Sequence, residues 1–258
     1  MDRGTIAARL FDALKDKASK AVVRDVRIGL GYVGVALDNG SAGLAAVLRR
    51  ELAGGCSTLS GAGTLAGMGA EGVLALLVEG TNPLEKALGL AAANALIGSP
   101  EGARDGDSIE LMKLTPQDKV GMAGFFGPLI QRIRKMGIEL TVLEKDHSRG
   151  DVPDEETGAR ILRACSVVII TATTILNDTL EETLALLGSP RHVAILGPST
   201  PMTADIFRDT PVTHLGGSVV ADVPKVLQVI SEGGGTPEMR PYLRFINIMR
   251  SGKKAGAS

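Results

Sequence analysis

Residues 167–201 read VVIITATTILNDTLEETLALLGSPRHVAILGPSTP. Two apolar runs, Val167–Ile170 and Val193–Leu196, each pass straight into a polar loop, residues 171–179 and 197–201, with a helical segment at Thr179–Leu187 between them. Apolar strands alternating with helices specify parallel crossovers, and in an open parallel sheet the carboxyl ends of adjacent strands share one crevice. The two loops are therefore expected to face a common ligand.

The alternation extends in both directions. Val120–Ala123, Pro128–Met136, Glu139–Leu143, a helix around Glu155–Ala164, Thr203–Phe207, Val212–Leu215 and Val223–Ser231 continue it, which predicts a Rossmann-like α/β sheet over residues 106–250. Ahead of it the period changes. Ile6, Leu10, Phe11 and Leu14 recur at helical spacing, Val22–Ile28 and Tyr32–Leu37 read as strands, and Asp38-Asn39-Gly40 is a hairpin turn returning through 41–47. Asn82 before Pro83, with Glu85 at capping-box distance, opens a helix whose Leu84, Leu88, Ala91, Ala92 and Leu96 share a face. Residues 1–105 thus form a smaller α+β domain, 98–118 read as the connection, and 251–258 as a disordered tail. The Gly/Ser/Ala-rich stretch Gly54–Gly72 is either a flexible loop or small-residue helix packing.

Composition narrows the classes. Twenty-eight basic against 29 acidic residues give a net charge of -1 with no long run of one sign, which argues against a nucleic-acid surface. The N-terminus lacks a signal-peptide core, and the most apolar helix, Leu84–Ile97, is interrupted by Glu85 and Lys86, so neither export nor membrane insertion is expected. Two cysteines, Cys56 and Cys165, form no metal knuckle and suit a reducing, cytoplasmic setting.

Several residues carry candidate chemistry. Gly124, Phe125 and Gly127 sit where the strand at 120–123 turns into its helix, so backbone can approach a ligand there, although the spacing departs from the dinucleotide fingerprint. Glu144 ends the next strand, where an acidic side chain binds ribose in nucleotide-binding folds; a solvated strand end explains it equally. Thr171, Thr173, Thr174, Asn177 and Thr179 offer neutral hydrogen-bonding groups, suited to holding a ligand and poor at acid–base chemistry. One of Asn177, Asp178 and Thr179 is expected to cap the following helix. Gly197, Pro198, Ser199 and Thr200 form a rigid polar loop, with Gly216 and Gly217 at the equivalent place after the next strand. His147, His192 and His214 are dispersed, His192 reading as a surface residue and His214 as buried; Cys165 reads as a small core hydrophobe. No nucleophile–base–acid triad can be assembled.

With these residues in view, the chain resembles a bacterial and archaeal family labelled "Putative heavy-metal chelation". Asn82-Pro-Leu-Glu-Lys-Ala-Leu-Gly-Leu-Ala-Ala-Ala-Asn94 and Gly29-Leu-Gly31-Tyr32 are similar to its N-terminal part, and 120–128, 169–181, 196–201 and 215–217 to its C-terminal part. The resemblance implies an enolase N-terminal-like domain beside a Rossmann-like one, with a functional cleft between them and Asn82, Glu85 and Asn94 on its far wall. It implies metal handling, for which Glu85, Glu144, Cys56 and His214 are the candidate ligands, hard oxygens for a hard cation and thiol or imidazole for a soft one. The leading expectation is a protein whose cleft binds a small polar ligand, a transition metal or a metal-bearing cofactor. The alternatives are an enzyme binding S-adenosylmethionine, a nucleotide or a pterin, and a non-catalytic homo-oligomeric scaffold.

Overall fold

The computed structural model describes residues 4–52, 57–144 and 155–250, so Cys56, His147 and the tail at 251–258 lie outside the described residues. Helix α1 (Ile6–Ala18) starts at Thr5, whose hydroxyl accepts from Ala8 N at 3.2 Å. Strands β1 (Val23–Ile28), β2 (Tyr32–Leu37) and β3 (Ala42–Ala46) form an antiparallel sheet in that order. Residues 57–69 are turns and bends, and helix α2 (Ala70–Glu79) follows.

Helix α3 (Pro83–Ile97) is capped as expected: Asn82 Oδ1 accepts from Leu84 N and Glu85 N at 3.0 and 3.1 Å. Glu85 reaches back to Thr81 N at 2.7 Å, one residue short of the cap. The expected one-sided helix is instead buried almost all round, because α2 covers one side and β2–β3 the other. Its alanines permit this. A Cβ on Gly43 of β3 would lie 2.2 Å from Ala95 N and 2.3 Å from Ala91 O, so helix and strand meet with no side chain between them.

The connection read at 98–118 contains two further elements, β4 (Arg104–Asp105) and α4 (Ser108–Met112). Beyond it run β5 (Lys119–Ala123), α5 (Gly127–Lys135), β6 (Glu139–Leu143), α6 (Glu155–Ala164), β7 (Val167–Thr171), α7 (Leu180–Ala185), β8 (His192–Leu196), β9 (His214–Val220), α8 (Val223–Ser231), α9 (Thr236–Met239) and β10 (Leu243–Met249). The segment Thr203–Phe207, read as a helix, is a single 3-10 turn at Asp205–Phe207. These strands form one seven-stranded sheet of order β4-β10-β9-β8-β7-β5-β6. From β6 to β9 the neighbours are parallel, as the alternation requires, while β10 runs antiparallel to both β9 and β4.

Strand β7 shows why the sheet is buried on both faces. Val167 and Ile169 pack with Ile130 and Ile133 of α5, whereas Val168 and Ile170 point the other way, into a core shared with Leu162 of α6. That second core also contains Leu10, Leu37, Leu77 and Leu88, so it runs without a break into the small sheet and its helices. Cys165 is buried as expected, its thiol directed at Ile161 O.

Two expectations are corrected. His192 is buried, at 7 % exposure, because β8 begins one residue earlier than its apolar run and lies in mid-sheet. None of Asn177, Asp178 and Thr179 caps α7 through its side chain: Thr179 stands at the N-cap without such a bond and donates instead to Asn177 Oδ1 at 2.8 Å.

Candidate functional site

The parallel strands carry the candidate residues to one edge. Strand pairing aligns Leu143, Ala123 and Ile170, then Thr171 with Leu196 and Leu196 with Gly216. Glu144, Gly124, Thr171 and Gly197 therefore emerge side by side at the carboxyl ends, whereas Gly216 and Gly217, expected just after their strand, lie within β9 because it runs on to Val220 along β10. Chain order along these strands is β6-β5-β7-β8-β9, so the direction of winding reverses between β5 and β7. A crevice opens at such a reversal because the two flanking connections leave toward opposite faces.

Gly124 lies at that point with φ +101, and a Cβ there would meet Thr171 Cγ2 at 2.5 Å. Only glycine lets the loops after β5 and β7 approach so closely. Phe125 is exposed at the lip, whereas Phe126 turns inward to pack with the α5 core. The hydroxyls of Thr171 and Thr173, both half-buried, lie 3.0 Å apart. Glu144 is half-buried beside Gly124, whose N–H donates to Leu143 O at 2.9 Å.

The remaining candidates serve the framework. Thr174, buried, donates to Thr171 O at 2.7 Å, and Thr200 to Gly197 O and Gly216 O at 2.8 and 2.9 Å. Ser199 Oγ accepts from Ala46 N at 2.8 Å, and Asn94 Nδ2 donates to both Leu44 O and Ser199 O, at 3.0 and 3.1 Å. Pro198 O accepts from Ser218 Oγ at 3.3 Å. Gly216 and Gly217 are buried, with Ser108 Oγ and Met202 Sδ where their Cβ atoms would project. Asn82 and Glu85 are occupied by the α3 cap.

Sequence reasoning missed two residues at this edge, Glu51 and Lys86. Glu51 Oε1 accepts from Asn177 Nδ2 at 3.3 Å, and Lys86 pairs with Asp178, which holds a left-handed φ of 56. Lys86 stood inside the family-like helix motif; nothing in the local pattern marks Glu51. A groove of about 830 Å³ lies elsewhere, between β1 and α8, walled by Arg24, Arg27, Leu227 and Gln228; none of the candidate residues lines it.

Among the described residues no three His, Cys, Asp or Glu side chains are grouped to hold a metal ion. The two buried imidazoles are hydrogen-bonded to each other, His192 Nε2 to His214 Nδ1 at 3.4 Å, and their outer nitrogens to Thr213 Oγ1 and Asn247 Oδ1. The described donors therefore do not fit a bare ion, which needs three or more free ligands.

Fold and edge together define an α/β protein of Rossmann-like winding with a small antiparallel sheet packed against it. The chain belongs to the family DUF364, described as "Putative heavy-metal chelation", whose model matches residues 107–249; a second model with the same description, DUF4213, matches 11–97. Crystal structures of DUF364 proteins of unknown function from Pyrococcus horikoshii and Desulfitobacterium hafniense DCB-2 share the fold, with TM-scores of 0.81 and 0.78 at 20 % and 22 % identity. Each covers 95 % of this chain, with 100 % and 98 % of those chains covered. An uncharacterized protein of Methanocaldococcus jannaschii is 28 % identical over 151 residues, 56 % of this chain and 58 % of that protein. No helix among the described residues is long and apolar enough to cross a membrane.

Proposed function

We propose that this protein binds a small polar ligand in the crevice at the carboxyl ends of β5 and β7, between the Gly124–Gly127 turn and the Thr171–Thr173 hydroxyls. The reversal of winding between those strands carries the reading. The family description motivates a link to metal handling. Since the described residues offer no three-ligand group, a metal at this crevice would come within a cofactor that brings its own donors. Glu144 at the end of β6, beside Gly124 in register, favours a second reading in which the ligand carries a ribose, as in S-adenosylmethionine or a nucleotide. We further infer that the chain divides into two units between the two family matches, near residues 98–106.

Thermal melts and calorimetry with S-adenosylmethionine, nucleotides, pterins and transition-metal salts test this. A ligand at about 100 times its Kd stabilises by about 2.7 kcal/mol, a rise in Tm of roughly 5–10 °C for a chain of this size. Thr173→Ala, which removes a half-buried hydroxyl bonded only to its neighbour, should weaken binding about tenfold while leaving the ligand-free Tm within about 2 °C. Gly124→Val should abolish binding outright. The proposal fails if no organic compound binds, if binding ignores both substitutions, or if a metal salt alone binds stoichiometrically.

A further inference from the structure

At the amino-terminal end of β8 and β9, opposite the candidate crevice, an unbroken hydrogen-bond chain crosses the interior. Asn247 on β10 fixes its direction. Its Nδ2 donates to Gly106 O at 2.9 Å, which leaves Oδ1 to accept, from Ser108 Oγ at 2.7 Å and from His214 Nε2 at 2.8 Å. His214 therefore carries its proton on Nε2, and with the ring neutral its Nδ1 accepts from His192 Nε2 at 3.4 Å. His192 Nδ1 then accepts from Thr213 Oγ1 at 3.0 Å. His214 is wholly buried and Asn247 nearly so.

We propose that the His192–His214 pair is a proton-sensitive latch: with both rings neutral it fastens the β4–α4 segment, Arg104–Met112, onto β10 and β9, and one added proton releases that segment.

The hydrogen bonds alone could absorb the proton, because Thr213 can turn its own toward Val193 O, 3.2 Å away, and accept from His192 Nδ1 instead. The charge is what cannot be accommodated. Arg191, adjoining His192 in β8, is itself positive. Asp118, the carboxylate facing His192, is committed to Arg191 at 2.6 Å and to Thr115 and Ser166. Just after β10 the Arg250 guanidinium donates to Phe207 O, Arg208 O and Val212 O. On α4, Glu110 and the capping Asp107 face Arg132. Thr213, Ser108 and Asn247 are neutral. An imidazolium in this place therefore lacks both water and a counter-ion.

Water reaches it most readily by displacing the cover. That cover is a two-residue strand and a five-residue helix, held partly by the network itself. Short elements with few pairings open locally at low cost. In keeping with this, burial and the neighbouring His214 and Arg191 push His192 down to about 4, and burial pushes His214 down too. The unfolded chain takes these protons near pH 6.5, so folded-state stability is complete above that value and falls as pH drops toward 4.

Imidazole nitrogen NMR and amide hydrogen exchange of the intact chain test the latch. The expected result is two neutral Nε2–H rings at pH 7. Between pH 6 and 4.5, amides of residues 104–112 should lose at least tenfold more protection than those of β5 and β7, after correction for intrinsic rates. The double variant His192→Gln/His214→Gln, in which neither side chain titrates, should remove the acid-dependent part of that loss. A ring titrating near 6.5 without a change in exchange would overturn the proposal. So would acid-induced exchange spread evenly over the whole sheet in the unmodified protein, a measurement that stands whether or not the variant folds.

Discussion

Replacing Asn94 by leucine is expected to destabilise the protein by about 2–4 kcal/mol. Its amide is a clasp of two bonds, one to Leu44 O in the small sheet and one to Ser199 O in the loop after β8. Leu44 and Ser199 are 1 % and 2 % exposed, so their carbonyls gain no water when the amide is lost. Leaving a buried polar group without its partner costs about 1–3 kcal/mol each. Asn94→Asp tests the same point with the shape kept. A carboxylate cannot donate and would face two carbonyl oxygens, so at pH 7 it should be at least as harmful as leucine. Urea unfolding of both variants is the check, and losses under about 1 kcal/mol would show that the clasp is idle.

The second large effect is expected at Asp118, 5 % exposed, which accepts from Arg191 Nε and Nη2, from Ser166 Oγ and from Thr115 N. Asp118→Ala should cost about 3 kcal/mol, the low end for breaking a buried pair because Arg191 keeps 44 % exposure and can turn to solvent. The Arg191 bonds hold this carboxyl well below the usual range, with Thr115 and Ser166 assisting and burial opposing. A depressed carboxylate contributes its stability above the unfolded value near 4, and that contribution is lost as pH falls through and below it. The histidine pair loses its contribution at higher pH, from about 6.5 down to 4. Acid unfolding should therefore show two separable slopes. Asp118→Ala should flatten the lower one and leave the upper one in place or steeper, since the carboxylate that favours the charged His192 is gone, as unfolding measured between pH 7 and 2.5 would reveal.

How far the chain could be read in advance depended on whether a residue's partner was local. The strands β5 to β8 were legible because their apolar runs and the intervening helices are self-declaring, and Asn82 because its partners lie two and three residues away. Asn94 was legible as unusual on a helix of alanine and leucine. Its partners stand 50 and 105 residues off, so what it does was not. Ser199 and Thr200 likewise have distant partners that no local pattern announces, Ala46 N for the first hydroxyl and Gly216 O for the second. His192 read as exposed because it precedes the apolar run Val193–Leu196, when strand pairing carries it inward. Strand β10 escaped because its apolar Leu243, Phe245, Ile246 and Ile248 keep no strict alternation and are broken by Arg244 and Asn247.

Strand β10 is the last element of the sheet to leave the ribosome, yet it is an interior strand, inserted between β4 and β9. Domains otherwise build from the amino-terminal end as the chain emerges. Here β4 waits some 140 residues for its partner, and β9 shows a bare hydrogen-bonding edge until Leu243–Met249 arrives. A nascent chain halted before Leu243 would carry that edge into the cell as a template for pairing with other chains, and would lack Asn247 to receive His214. Closure of the sheet thus waits on Leu243–Met249, which makes that strand the checkpoint for folding of the sheet.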